Sequence, residues 1–296
     1  MNVTRWYPQI LTGDVMISAY TVSVVVVVKS RVKSLINLIN QLEDCEVLPE
    51  ELVVVWMAPP SQYSLISSEK FPVHHKFKIC DDLPISRAIN KGVRSVSNSH
   101  CLVINVESII SSNLIKNLKD VWKPSCVITT KIVCISKALM QLNFLQLATE
   151  LDKYPHFETE ENARFCVKNN NGLFFISLRD FEKTGGFDEH YRGYGVNDED
   201  YVERCIASNM SLSTVSDTTY IRNRVHYQYP VLHVTNFIQN SRYFYSKWGK
   251  YPCKDVLKNF VEMGFINKDY EASRLHILRN PSTDELASYK LEATNS

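Results

Sequence analysis

The sequence predicts an α/β protein built on a mostly parallel sheet flanked by helices. Three observations carry that expectation. Val22 to Val28 is a β-branched run without polar alternation, as expected of a strand buried on both faces. Residues Leu35, Ile36, Leu38, Ile39 and Leu42 then fall at helical spacing within Ser34 to Glu43, and a second short apolar run follows at Leu52 to Trp56. The alternation repeats downstream, which implies parallel strands joined by right-handed crossovers.

The later elements follow the same logic. Ile85 to Ser95 reads as a helix, Cys101 to Val106 as a strand and Ser112 to Trp122 as an amphipathic helix. From Cys126 onward the alternation weakens, leaving an apolar run at Leu173 to Leu178 and a helix over Asp198 to Ala207. Val256 to Met263 is helical in pattern, and the chain turns polar from Asn280. Ligands of such sheets sit beyond the carboxyl ends of the strands. That directs attention to Lys29-Ser30-Arg31, Trp56-Met57-Ala58 and Asn105-Val106-Glu107.

Composition narrows the function classes. With 296 residues, 45% hydrophobic and 22% charged, the chain fits one large domain with short extensions. The balance of 33 basic against 32 acidic residues provides no overall field for a nucleic-acid backbone, so no nucleic-acid partner is expected. Eight cysteines without a C-x-x-C pair read as reduced thiols of a cytoplasmic protein. The stretch Val15 to Val28 is shorter than the ~20 residues of a bilayer span and lacks the flanks of a leader peptide.

Glycine is scarce, nine in 296, about 3% against an average near 7%. Four of the nine, Gly185, Gly186, Gly193 and Gly195, nevertheless fall inside eleven residues. Concentrated glycine marks a loop that needs left-handed backbone or close approach. The loop closes on Asn197-Asp198-Glu199-Asp200, with Asn197 as the expected N-cap of the following helix and the carboxylates in its first turn.

Gly185-Gly186-Phe187-Asp188-Glu189, then Gly193-Tyr194-Gly195, then Asn197-Asp198-Glu199-Asp200 with Arg204 a turn later, resembles the GT-A glycosyltransferases, in particular family 2 and the C-terminal segment of the β-1,4-galactosyltransferases. Weaker likenesses lie in the same order. Lys29-Ser30-Arg31 looks like the first nucleotide-binding turn. Ser86-Arg87-Ala88-Ile89-Asn90-Lys91-Gly92 is similar to the A-R-N-x-G helix, and Asn240 to Gly249 looks like N-x-x-x-F-x-x-K-W-G. The sequence departs from that pattern at Asn105-Val106-Glu107, which stands where D-x-D is usual, at Trp56-Met57-Ala58 in place of paired aspartates, and at Asn197 in place of Glu.

The resemblance implies a Rossmann-like GT-A domain over residues 21–250, divided into a nucleotide-binding half (21–108) and an acceptor half (109–250). An N-terminal extension (1–20) and a helical C-terminal extension (251–296) flank it. It further implies an inverting, metal-assisted transfer from a nucleotide-sugar donor, UDP-linked, to a glycan or lipid-linked glycan acceptor. A lipid-linked acceptor would bring peripheral membrane contact. The alternative is a catalytically silent GT-A-like binding or assembly module.

Asp198 aligns with the catalytic base, and Glu199 is placed beside it. Glu107 takes the metal position, with His233 as further ligand and His226 as the alternative; imidazole favours Mn²⁺ over Mg²⁺. The resemblance also implies that Arg31, Arg87 and Lys247 neutralise phosphate, and that Lys29, Asn90, Asn105, Gly186 and Tyr194 belong to the donor site. Asp200 and Arg204 are expected to pair along the helix, and Tyr194, Phe187 and Tyr191 to wall a sugar ring. Glu107 and Asp198 should then face each other across one cleft.

Overall fold

The computed structural model describes residues 20–61, 64–80, 83–135, 139, 142–152, 173–222 and 231–288. Seven strands form one sheet in the order β3-β2-β1-β4-β6-β5-β7. They are β1 (Val22–Val28), β2 (Glu51–Trp56), β3 (Val73–Phe77), β4 (His100–Asn105), β5 (Cys126–Ile135), β6 (Phe174–Ser177) and β7 (Ser211–Arg222). β6 runs against β4 and β5, whereas the other pairings are parallel.

The helices are α1 (Val32–Glu43), α2 (Ile85–Val93), α3 (Leu114–Val121), α4 (Phe144–Asp152), α5 (Leu178–Lys183), α6 (Asn197–Ala207), α7 (Val234–Trp248) and α8 (Lys254–Glu262). The β1 valines alternate between two cores. Val24 and Val26 pack with α1 and α3, through Leu35, Leu38, Leu114 and Leu118. Val25 packs on the other face with Ala88 and Ile89 of α2 and Tyr201 and Cys205 of α6. Both faces are therefore covered, which is why β1 needs no polar alternation. Gly92 lets α2 approach β1 closely, since a Cβ there would collide with Val25.

The residues after 250 share a third core with α7. Val256, Leu257 and Phe260 of α8, with Phe265 and Leu275, pack against Phe237 and Phe244. No helix among the described residues is long and apolar enough to cross a membrane. Cys45, Cys80, Cys101, Cys126, Cys205 and Cys253 are free thiols.

Candidate active site at the carboxyl edge of the sheet

The topology collects several loops at one edge. Lys29 and Arg31 follow β1, Asn105 and Glu107 follow β4, and α2 begins after β3 returns to the same edge. The first turn of α6 joins them through Asn197, whose Nδ2 donates to Ser86 Oγ at 2.7 Å in the first turn of α2. Arg87 is the next residue of that turn and is half-buried. On the far side, Tyr194 stacks on His233 with ring centroids 5.0 Å apart. The charge of Lys29 is close enough to His233 to act on its imidazole.

Glu107 is buried, and its carboxylate pairs with Arg31 Nη1 at 3.1 Å. Asn105 turns its side chain back onto the same loop, where Oδ1 accepts from the Glu107 N–H at 2.9 Å. Glu107 also lines a cavity of about 560 Å³ between α1, the loop after β4 and the start of α4. Asp198 does not line that cavity, so the single cleft expected to hold both carboxylates is not this one. The Trp56-Met57-Ala58 turn offers no carboxylate; the Trp56 indole is buried and donates to His75 Nδ1 at 3.0 Å.

Asp198 and Asp200 differ sharply although two residues apart. Burial pushes the Asp198 carboxyl up from 3.8 to about 6, and no hydrogen bond from a described residue engages it, while its side chain keeps partial contact with solvent. Asp200 is fully buried. Its Oδ1 accepts from Lys247 Nζ at 2.6 Å, Trp248 Nε1 at 2.8 Å and Tyr191 Oη at 2.9 Å. The expected Asp200–Arg204 pair is absent, because Arg204 instead donates to the Thr184 carbonyl at 3.1 Å and lies 3.8 Å from Asp188.

Lys247, expected on phosphate, is occupied inside the protein. Its ammonium bridges Asp188 at 2.7 Å and Asp200 at 2.6 Å, among the rings of Tyr191, Tyr243 and Trp248. Asp188, which also accepts from Tyr243 and His190, is thereby kept well below the ordinary carboxylate range although burial pushes the other way. Asn90 departs from expectation for the same reason. Its amide donates to the Phe187 carbonyl at 2.8 Å and to Glu189, and accepts from the Phe187 N–H at 2.9 Å.

Glu199 likewise turns away from the edge, accepting from the Cys253 N–H and thiol, both at 2.9 Å. Burial raises its carboxyl and the Cys253 thiol alike. Gly186 is filled by protein rather than left open for a ligand, since a Cβ there would meet Asn90 Oδ1 at 2.7 Å and Phe181 at 2.9 Å. Phe187 stacks flat on Tyr201 at 4.2 Å and Tyr191 is tied to Asp200, so neither walls a sugar site. His226 lies outside the described residues.

The expected N-cap is also displaced by one residue. Val196 precedes α6 in left-handed backbone at φ 74°, and Asn197 is already helical. A buried β-branched residue in that conformation is strained, and such strain persists only where neighbours over-determine the loop. Here Asn240 does so, donating to the Arg192 and Gly195 carbonyls at 3.0 Å each. Phe237 closes over Gly195, where a Cβ would sit 2.5 Å from the ring.

Asp188, Ser86 and Asn240 are the residues whose roles the sequence reading missed. Their signal was present, for each lies inside a recognised motif and contacts another motif.

A divalent cation needs oxygen or imidazole donors, and Mg²⁺ or Mn²⁺ in phosphate-handling sites draws on one or two protein groups plus substrate oxygens. No cluster of three His, Cys, Asp or Glu side chains occurs among the described residues. Glu107 and His233 nevertheless fit that sparse donor set. Burial, aided by the charge of Lys29, lowers the His233 pKa, which favours the neutral imidazole that a metal ligand requires.

Residues 163–228, about a fifth of the chain, match the profile of a family described as the N-terminal domain of galactosyltransferase. No curated protein sequence matches the chain. Among solved structures, GalNAc-T7 with UDP, GalNAc and Mn²⁺ superposes with a TM-score of 0.55 at 10% identity, over 94% of this chain and 55% of that one. Glucosyl-3-phosphoglycerate synthase from Mycobacterium tuberculosis, in complex with Mn²⁺, UDP and glucosyl-3-phosphoglycerate, gives 0.52 at 14% identity, over 83% and 87%. A Drosophila β1,4-galactosyltransferase 7 with manganese, UDP-Gal and xylobiose gives 0.40 at 10% identity, over 67% and 65%. The chain thus spans less than two thirds of the length of two of these proteins. The fold is GT-A: a single α/β domain on a seven-stranded, mostly parallel sheet flanked by helices.

Proposed function

We propose that the chain is an inverting glycosyltransferase that moves a sugar from a UDP-linked donor to a hydroxyl of a glycan or glycolipid acceptor, assisted by Mn²⁺ or Mg²⁺. The observation that carries this reading is Asp198 at the carboxyl edge, a carboxyl that no described residue hydrogen-bonds and that burial pushes up to about 6. A general base is most effective when its pKa lies near the working pH. The GT-A neighbours bound to UDP and Mn²⁺, and the galactosyltransferase profile, support the choice of donor and metal.

In this mechanism Asp198 orients the acceptor hydroxyl and takes its proton as the oxygen attacks the anomeric carbon. The bond from that carbon to the diphosphate breaks, and the electron pair leaves with UDP. Lys29 and Arg31 bind the diphosphate, with Arg31 exchanging Glu107 for phosphate oxygens. Glu107 and His233 would hold the cation, which when bound neutralises charge on the departing diphosphate. Asn197 fixes the α6 terminus on α2 and so positions Asp198. Attack from the side opposite the diphosphate gives inversion.

A screen of nucleotide sugars with and without Mn²⁺ tests donor and metal together. Asp198→Asn should lower turnover roughly 10²–10⁴-fold while UDP still binds; undiminished turnover would contradict the assignment. The Arg31–Glu107 ion pair favours one second reading, the silent GT-A module, because it occupies the metal-binding carboxylate. Calorimetry with UDP and Mn²⁺ separates the two, since the silent module binds neither at millimolar concentration.

A further inference from the structure

The cavity beside Glu107 is lined by residues that, Glu107 apart, take no part in the transfer reading. Its volume of about 560 Å³ lies within the roughly 300–1,000 Å³ of small-molecule sites. Its lining includes Asn37, Asn40 and Gln41 of α1 together with Phe144 and Leu145 of α4. The floor is the loop after β4, which Gln41 fixes by donating to the Ser108 carbonyl at 3.2 Å and accepting from the Ile110 N–H at 2.8 Å. The cavity is therefore a formed feature of the scaffold.

Three properties define its occupant. Among the described residues no Lys, Arg or His lines it, whereas Asp44 and Glu107 do, and the nearby Arg31 is already paired with Glu107, so this lining disfavours a phosphate or nucleotide. Ser108 is 2% exposed, and its hydroxyl oxygen has no hydrogen-bond partner among the described residues. A buried polar atom of this kind calls for one. Finally, the lining combines amide side chains with an apolar pair, Phe144 and Leu145, the latter 75% exposed. A sugar ring matches such a surface, with hydroxyls on its rim and C–H bonds on its face.

We propose that this cavity binds a neutral oligosaccharide at a place distinct from Asp198. Binding requires neither nucleotide nor cation, so it stands or falls separately from transfer. The test is saturation-transfer NMR on the full chain with xylobiose, cellobiose, chitobiose and N-acetyllactosamine, without nucleotide or metal. At least one sugar should bind, and its affinity should fall at least tenfold in Asn37→Trp and in Asn40→Trp. Both are exposed positions on α1, and unfolding midpoints near wild type would show that the variants fold. Asp198→Asn should bind that sugar as wild type does. Absence of binding by all four sugars at millimolar concentration, unchanged affinity in both Trp variants, loss of affinity in Asp198→Asn, or displacement of the sugar by UDP would each overturn the proposal.

Discussion

Asp198 and Asp200 occupy the same helical turn and have opposite fates. Asp200 is fully buried and accepts three hydrogen bonds at one oxygen, one of them from the ammonium of Lys247. Asp198 takes none from the described residues, and burial alone acts on its carboxyl. The first arrangement holds a loop in place. The second leaves a carboxyl open to the role of base proposed for it. The same division runs through the whole region: Asn90, Lys247, Glu199 and Asn240 join motif to motif, while Lys29, Arg31, Glu107, Asp198 and His233 stand at the carboxyl edge of the sheet.

The division can be broken from the scaffold side. Lys247→Met strands two carboxylates, one of them wholly buried, and should destabilise the fold by about 3–5 kcal/mol in denaturant titrations. A loss confined to donor KM with stability intact would return Lys247 to the phosphate site. Gly186→Ala should cost about 2–3 kcal/mol, since its φ of +67° is left-handed and its Cβ would press on Asn90 and Phe181. A wild-type unfolding midpoint would show that this loop is free to move.

The edge makes the opposite prediction. The Asp198 pKa is raised on folding, from 3.8 to about 6, so the native state holds its proton more tightly than the unfolded chain. Stability is therefore lost as pH climbs between those values and stays lower above them. Asp198→Asn should then be more stable than wild type by about 1–2 kcal/mol at pH 8, allowing for partial solvent contact, with no gain at pH 4. Equal stability at pH 8 would mean that the carboxylate is well solvated or paired. The smallest effect concerns His233: Lys29→Ala should move its titration upward, towards the ordinary imidazole value, in an NMR titration.

Much of the fold was legible because burial on two faces leaves a direct mark. β1 matches Val22 to Val28, and α1, α2, α6 and β2 begin within two residues of their expected starts. β3 was not legible. It is an edge strand reading Val73-His74-His75-Lys76-Phe77, in which only Val73 and Phe77 are apolar and His75 separates them on their shared face. β7 carries six Ser or Thr among its twelve residues, and the reversed direction of β6 depends on its neighbours rather than on its own four residues.

In the site, residue types were readable but their partners were not. Asn90, Lys247 and Glu199 belong to recognisable motifs, yet whether an amide or ammonium meets ligand or protein is decided by contacts 47 to 97 residues apart in sequence. Val196 was hidden for a different reason, because nothing local marks a valine that tertiary packing holds in left-handed backbone.

The most direct test of Asp198 as the working base is the pH dependence of kcat/KM, which reports ionisations of the free enzyme. With the best donor and acceptor from the screen, activity should fall on the acid side with a midpoint near 6. The residual activity of Asp198→Asn should lack that limb. A profile that is flat through this range in wild type, or an acid limb unchanged in the variant, would contradict the assignment.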